Sequence, residues 1–159
     1  MATFYTAIGS TPTSMSPNRM REEADRVASG KRHVLDWSHN TSLLYRFTHP
    51  NGSLPNLLAN RVGVKPDIAL TCRAYKDVGQ TAIHRDLAKL LDLFGDDTIL
   101  LRSDGAILAL TNSGRIGVSD LPEYAQDPEG WIGVANEYFP QRTRILNQDK
   151  LAQALKGDA

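Results

Sequence analysis

Cysteine is nearly absent: Cys72 is the only one in 159 residues. An internal disulfide is therefore excluded, and the usage is that of a reducing compartment. No apolar run reaches the roughly 18 residues that a membrane-spanning helix needs, so no membrane partner is expected. The N-terminus has no basic region followed by an apolar core, which argues against a secretory signal and for a cytoplasmic location. Neither sign of charge is in excess, with 18 Lys and Arg against 18 Asp and Glu, so bulk attraction to a polyanion is not built into the composition. Internal repeats and low-complexity tracts are also missing.

What is present is an ordinary globular composition, 41% hydrophobic and 23% charged. A chain of this length buries most of its surface as one domain, residues 1–159. Residues 1–118 read as its core, and 119–159 as a peripheral subdomain or docking segment. Charge is uneven along the chain: residues 1–65 hold eight Lys and Arg against four Asp and Glu, and the remainder ten against fourteen.

The clearest periodicity runs through Ile83, Leu87, Leu90, Leu91 and Phe94, an apolar stripe at helical spacing with His84, Arg85, Lys89 and Asp92 turned away. Asp77 with Gln80 is the expected start and Gly95 the expected left-handed stop. Ile99–Leu101 and Ala106–Leu110 across Asp104-Gly105 read as a hairpin buried on both faces. Earlier, residues 4–8 read as a strand. Ser16 and Pro17 start a helix with Met20, Ala24, Val27 and Ala28 on one face, ended by Gly30. His33–Trp37 and Leu43–Phe47 read as strands around a turn at 38–40. Leu54, Leu57 and Leu58 suggest a short helix, and residues 67–72 a strand. Ile116–Val118 reads as a strand and 119–130 as an acidic connector. Trp131, Ile132 and Val134 read as an edge strand, Tyr138-Phe139-Pro140 as the extended end of a strand and 142–146 as another strand. A last helix starts at Asn147 or Gln148. The order β-α-β-β-α-β-α-β-β, then short strands and a C-terminal helix, predicts an α/β or α+β fold with helices packed on a mixed sheet.

Residues with chemistry converge on no reaction. His33, His39, His49, His84 and Cys72 are at no zinc-ligand spacing, so no metal or cofactor is expected. Cys72 with His84 and Asp86, or Ser38 with His39 and Asp36, supply the residue types of a nucleophile, base and orienting acid. Cys72 sits in an apolar strand, however, and neighbours along a strand face opposite ways. The carboxylates Asp96, Asp97, Asp104 and Glu129 lie in turns. Residues 112–117 lack the spacing of a phosphate-binding glycine loop.

Two kinds of surface are better represented. Tyr124, Trp131, Tyr138, Phe139, Arg142 and Arg144 are of the types that anchor protein interfaces. Arg19, Arg21, Arg26, Lys31 and Arg32 form a basic series, with Trp37, Tyr45 and Phe47 as stacking groups for nucleic acid.

The element order resembles that of BRCT-type phosphopeptide-binding modules, without residues that match a phosphate-reading pocket. Leu100-Leu101-Arg102-Ser103-Asp104-Gly105-Ala106-Ile107, with Gly130-Trp131 and Arg144-Ile145-Leu146-Asn147, resembles a pattern in small proteins of bacterial viruses. Asn40-Thr41-Ser42-Leu43 echoes its opening. That resemblance implies an accessory or assembly protein of a virus or mobile element, virion-associated or cytoplasmic. The expectation is a non-enzymatic interaction or assembly protein with a protein partner or self-association. The alternatives are binding of RNA or single-stranded nucleic acid through the basic N-terminal half, and a small hydrolase.

Overall fold

The computed structural model describes residues 3–10, 15–49, 66–95, 98–112, 115–120 and 130–155. They build a sheet of nine strands in the spatial order β2 (Lys31–Arg32), β3 (Ser38–His39), β4 (Leu43–Thr48), β5 (Ile68–Ala74), β1 (Phe4–Gly9), β6 (Ile99–Arg102), β7 (Ile107–Asn112), β8 (Arg115–Ser119) and β9 (Thr143–Leu146). Neighbours are antiparallel except β8 and β9. A parallel pair needs a crossover, and here the chain passes through helix α3 (Trp131–Tyr138) between the two. This is the mixed sheet with packed helices that the element pattern predicts.

Strand alternation decides the two faces. Tyr5 and Ala7 of β1 point into the main core, with Leu43, Tyr45 and Phe47 of β4 and Ile68, Leu70 and Cys72 of β5. Helices α1 (Pro17–Ala28), α2 (Gln80–Leu91) and α3 seal this face through Met20 and Ala24, Ile83 and Leu87, and Trp131 and Val134. Ile8, Ala69, Ile99, Ile107 and Leu110 point the other way and form a smaller cluster under Leu151 of helix α4 (Gln148–Leu155). That helix packs on β7 and β8.

A polar network ties α1 to the sheet. The Tyr45 hydroxyl donates to Asp25 at 2.6 Å, and Arg21 donates to Ser38 Oγ at 2.8 Å and to the Trp37 carbonyl. Asn40 donates to the Ala28 carbonyl at 2.9 Å and to Asp86 at 3.0 Å, while its own oxygen accepts from the amides of Ser42 and Leu43. Gly30 is required by close approach, since a Cβ there would meet the Tyr45 hydroxyl.

Several elements differ from the sequence expectation. His33–Trp37 is the turn joining β2 to β3, closed by the His33 amide on the Trp37 carbonyl at 2.9 Å, and Ser38-His39 is strand. Trp131, Val134 and Ala135 are spaced for a helical face as well as for a short apolar strand, and burial of that face decides for helix. Tyr138 ends this helix. Helix α1 ends on Ser29, left-handed at φ 54°, one residue before the expected Gly30. Helix α2 begins after Gly79, with Asp77 in the preceding turn, and ends at Leu91. Gly95 is not left-handed, and its amide donates to the Ser10 carbonyl at 2.6 Å. His84 and Asp86 are buried, because α2 is covered by α3 and α1 on flanks the stripe alone leaves open. The expected helix at Leu54–Leu58 and most of the acidic connector lie outside the described residues.

Candidate functional site

Cross-strand partners share a face, so the registers define what β2–β5 and β1 present on the side where no helix among the described residues covers them. One row runs across five strands: Lys31 opposite His39, His39 opposite Leu44, Leu44 opposite Arg73, and Arg73 opposite Phe4. A second joins Arg46, Thr71, Thr6 and Leu101. A third joins Thr48, Ala69, Ile8 and Ile99 and continues through Leu110 and Gly117 to Arg144. No carboxylate occupies any of these paired positions.

Two cations of this face lie over aromatic rings. The Arg46 guanidinium lies 4.7 Å from the Trp37 ring centroid, and that of Arg73 lies 6.0 Å from Phe4. The His33 and His39 rings meet edge-on at 5.1 Å. Leu44, Arg46, Thr48 and Thr71 are half-buried, whereas Lys31 and Arg73 are exposed and Phe4 is 42% exposed. At the edge, the β2–β3 turn leaves Val34 66% and Leu35 82% exposed. Leu35 holds φ 58°, a left-handed conformation that costs a leucine about 1 kcal/mol.

On the helical side the cations meet carboxylates instead. Arg19 and Arg32 lie within 4.0 Å of Glu22, Arg26 is 2.7 Å from Glu23, and Arg85 is 3.7 Å from Glu137. The basic series Arg19, Arg21, Arg26, Lys31 and Arg32 is therefore not one cationic patch. Three members are ion-paired, Arg21 is buried with its donors in the network under α1, and Lys31 belongs to the opposite face.

The aromatic and arginine set is also dispersed. Trp131 is fully buried and donates Nε1–H to the Leu108 carbonyl at 3.0 Å, and Phe139 is a core residue. Neither can anchor a partner. Tyr138 is half-buried, Arg142 lies 5.3 Å over the Phe139 ring, Arg144 is exposed on β9, and Tyr124 lies outside the described residues.

The candidate nucleophile sets are engaged structurally. Burial, with the Asp86 charge second, raises the Cys72 thiol well above its ordinary range, so the thiolate is suppressed. His84 packs edge-on against Trp131 at 5.7 Å, and burial lowers its pKa to about 4. Ser38 Oγ accepts from Arg21, while His39 belongs to the other face. Asp104 is held in its turn by Arg102 at 2.6 Å and by the Ala106 amide, which lowers its pKa to about 2. Among the described residues no three His, Cys, Asp or Glu side chains could share a metal ion.

The residues that define the open face, Phe4, Leu35, Leu44 and Arg73, escape a reading by motif. Their signal is the alternation of Phe4-x-Thr6-x-Ile8 and Leu44-x-Arg46-x-Thr48, which acquires meaning only once β1, β5 and β4 are known to be neighbours. No protein-family model matches the sequence, and neither does a curated protein or a solved structure.

Proposed function

We propose that this chain is a non-enzymatic interaction protein that works through the sheet face formed by β2, β3, β4, β5 and β1. The supporting observation is the carboxylate-free row Lys31–His39–Leu44–Arg73–Phe4, continued at the sheet edge by the exposed Val34 and Leu35. Exposed aliphatic side chains next to cations that have no carboxylate partner among the described residues have no role in the core and suit a recognition surface. A nucleic-acid ligand is less well supported, because the basic series is ion-paired or buried and the chain carries no net surplus of positive charge. Among the described residues no helix is long and apolar enough to cross a membrane.

The test is site-specific photocrosslinking in lysate of the source cells, with benzoylphenylalanine replacing Phe4, Leu35 or, on the helical side, Arg85. Adducts are expected from positions 4 and 35 and not from 85. Adducts confined to position 85, or none from 4 and 35, would overturn the assignment of the face.

A further inference from the structure

Resting on that assignment, we infer that the occupant of the open face is an extended acidic segment of a protein partner. It lies across the strands, with carboxylates at positions i and i+4 and apolar residues at i+2 and i+6. The geometry comes from the row itself. Lys31 and Arg73 are three strands apart, about 14 Å at the usual inter-strand spacing, and Phe4 is one strand further, about 19 Å from Lys31. Four residues of extended chain also cover about 14 Å and six about 20 Å, with residues i, i+2, i+4 and i+6 on one side. A carboxylate at i then meets Lys31, and an apolar side chain at i+2 falls between His39 and Leu44. The carboxylate at i+4 meets Arg73, and the apolar residue at i+6 reaches Phe4.

Charge complementarity selects this occupant. Among the described residues no carboxylate lies within ion-pair distance of Lys31 or Arg73, whereas Arg19, Arg26, Arg32 and Arg85 on the helical side each have one. A guanidinium is the cation best shaped for a carboxylate, which it grips with two parallel hydrogen bonds. Leu44 between the two cations suits an apolar residue flanked by acids better than a run of phosphates. The exposed Val34 and Leu35 extend the apolar contact past the Lys31 end. Pairing of the face with a second copy of itself would set Lys31 and Arg73 against like charges. Strand addition at the outer edge is limited by the two-residue length of β2.

The test uses the full chain, labelled with nitrogen-15, and titrates it with a peptide containing Glu-Ser-Leu-Ser-Glu-Ser-Leu. Three further probes are a peptide of the same composition ordered Glu-Glu-Leu-Leu-Ser-Ser-Ser, one with lysine in place of both glutamates, and single-stranded oligothymidylate. The expected result is saturable shifts of the Lys31, Leu44 and Arg73 amides with the first peptide, at least tenfold tighter than with the other three. Equal binding of the reordered peptide, preference for the lysine peptide or oligothymidylate, or concentration-dependent self-association through this face would each overturn it. The double variant K31E/R73E should lose tenfold or more for the glutamate peptide and gain affinity for the lysine peptide, while R19E should change neither. Failure of the peptide while crosslinks still form at positions 4 and 35 would reject the acidic segment and leave the face assignment standing.

Discussion

A histidine with 1% of its surface exposed, set edge-on to Trp131, must stay neutral in the folded chain. Burial moves the His84 pKa from 6.5 to about 4, so between these values the unfolded chain binds the extra proton. Stability is therefore full above pH 6.5, falls as pH drops through that window, and levels off below 4, with a total change on the order of 3 kcal/mol. His84→Phe keeps the ring contact and should flatten this limb when urea midpoints are measured from pH 7 to 4. An unchanged slope would show that His84 is not the group responsible. Asp104, lowered to about 2, titrates below the window and does not obscure it. The inward position of His84 is not legible from the stripe of Ile83, Leu87 and Leu91, because a stripe marks the centre of the buried arc and not its width.

At the scale of elements, Gln148 adds hydrogen bonds to the packing of Leu151 in holding helix α4 on the sheet. Gln148 accepts from the Ile107 amide at 2.8 Å and donates to the Ile107 carbonyl at 2.7 Å and to Ser119 Oγ at 3.0 Å. It takes both backbone groups of Ile107 close to where the β6–β7 register shifts at Leu100/Leu101. Gln148→Ala leaves these groups without their partner and should cost about 2–3 kcal/mol in urea unfolding. Faster hydrogen exchange at the Ile107 amide is the local readout, and an unchanged exchange rate would place the anchoring elsewhere. Periodicity and turn chemistry made many elements readable in advance: the Ser16-Pro17 helix start, the Asp104-Gly105 hairpin with Gly105 at φ 90°, and the last helix. Trp131–Ala135 was not readable as helix, because an apolar run that short fits either period until a neighbour buries one side of it. His33–Trp37 misled for the opposite reason, since β-prone residues occupy a turn whose strands are only two residues each.

For the whole molecule, net charge conceals an arrangement. Among the described residues, Arg19, Arg26, Arg32 and Arg85 meet carboxylates on the helical side, while the β2–β5 and β1 face holds lysine and arginine among leucine, threonine and phenylalanine. The uneven charge along the chain hinted at this, but the sorting is by sheet face and not by sequence half. Lys31 and Arg73 become neighbours in one row only through the order β2-β3-β4-β5-β1. No local pattern specifies that order, and for that reason the fold class was legible and the candidate site was not.

The central place of β1 bears on how the chain is made. Strand β1 must wait for Ile68–Ala74 on one side and Ile99–Arg102 on the other, which begin 59 and 90 residues beyond its last residue, Gly9. Such distant pairings close slowly, and an unpaired apolar strand is open to wrong partners in the interval. Nascent chains arrested before Ile68 should be cut readily by protease, and resistance should appear only after Arg102 has cleared the exit tunnel. Resistance at the shorter length would mean that the N-terminal segment has a fold of its own before its strands arrive.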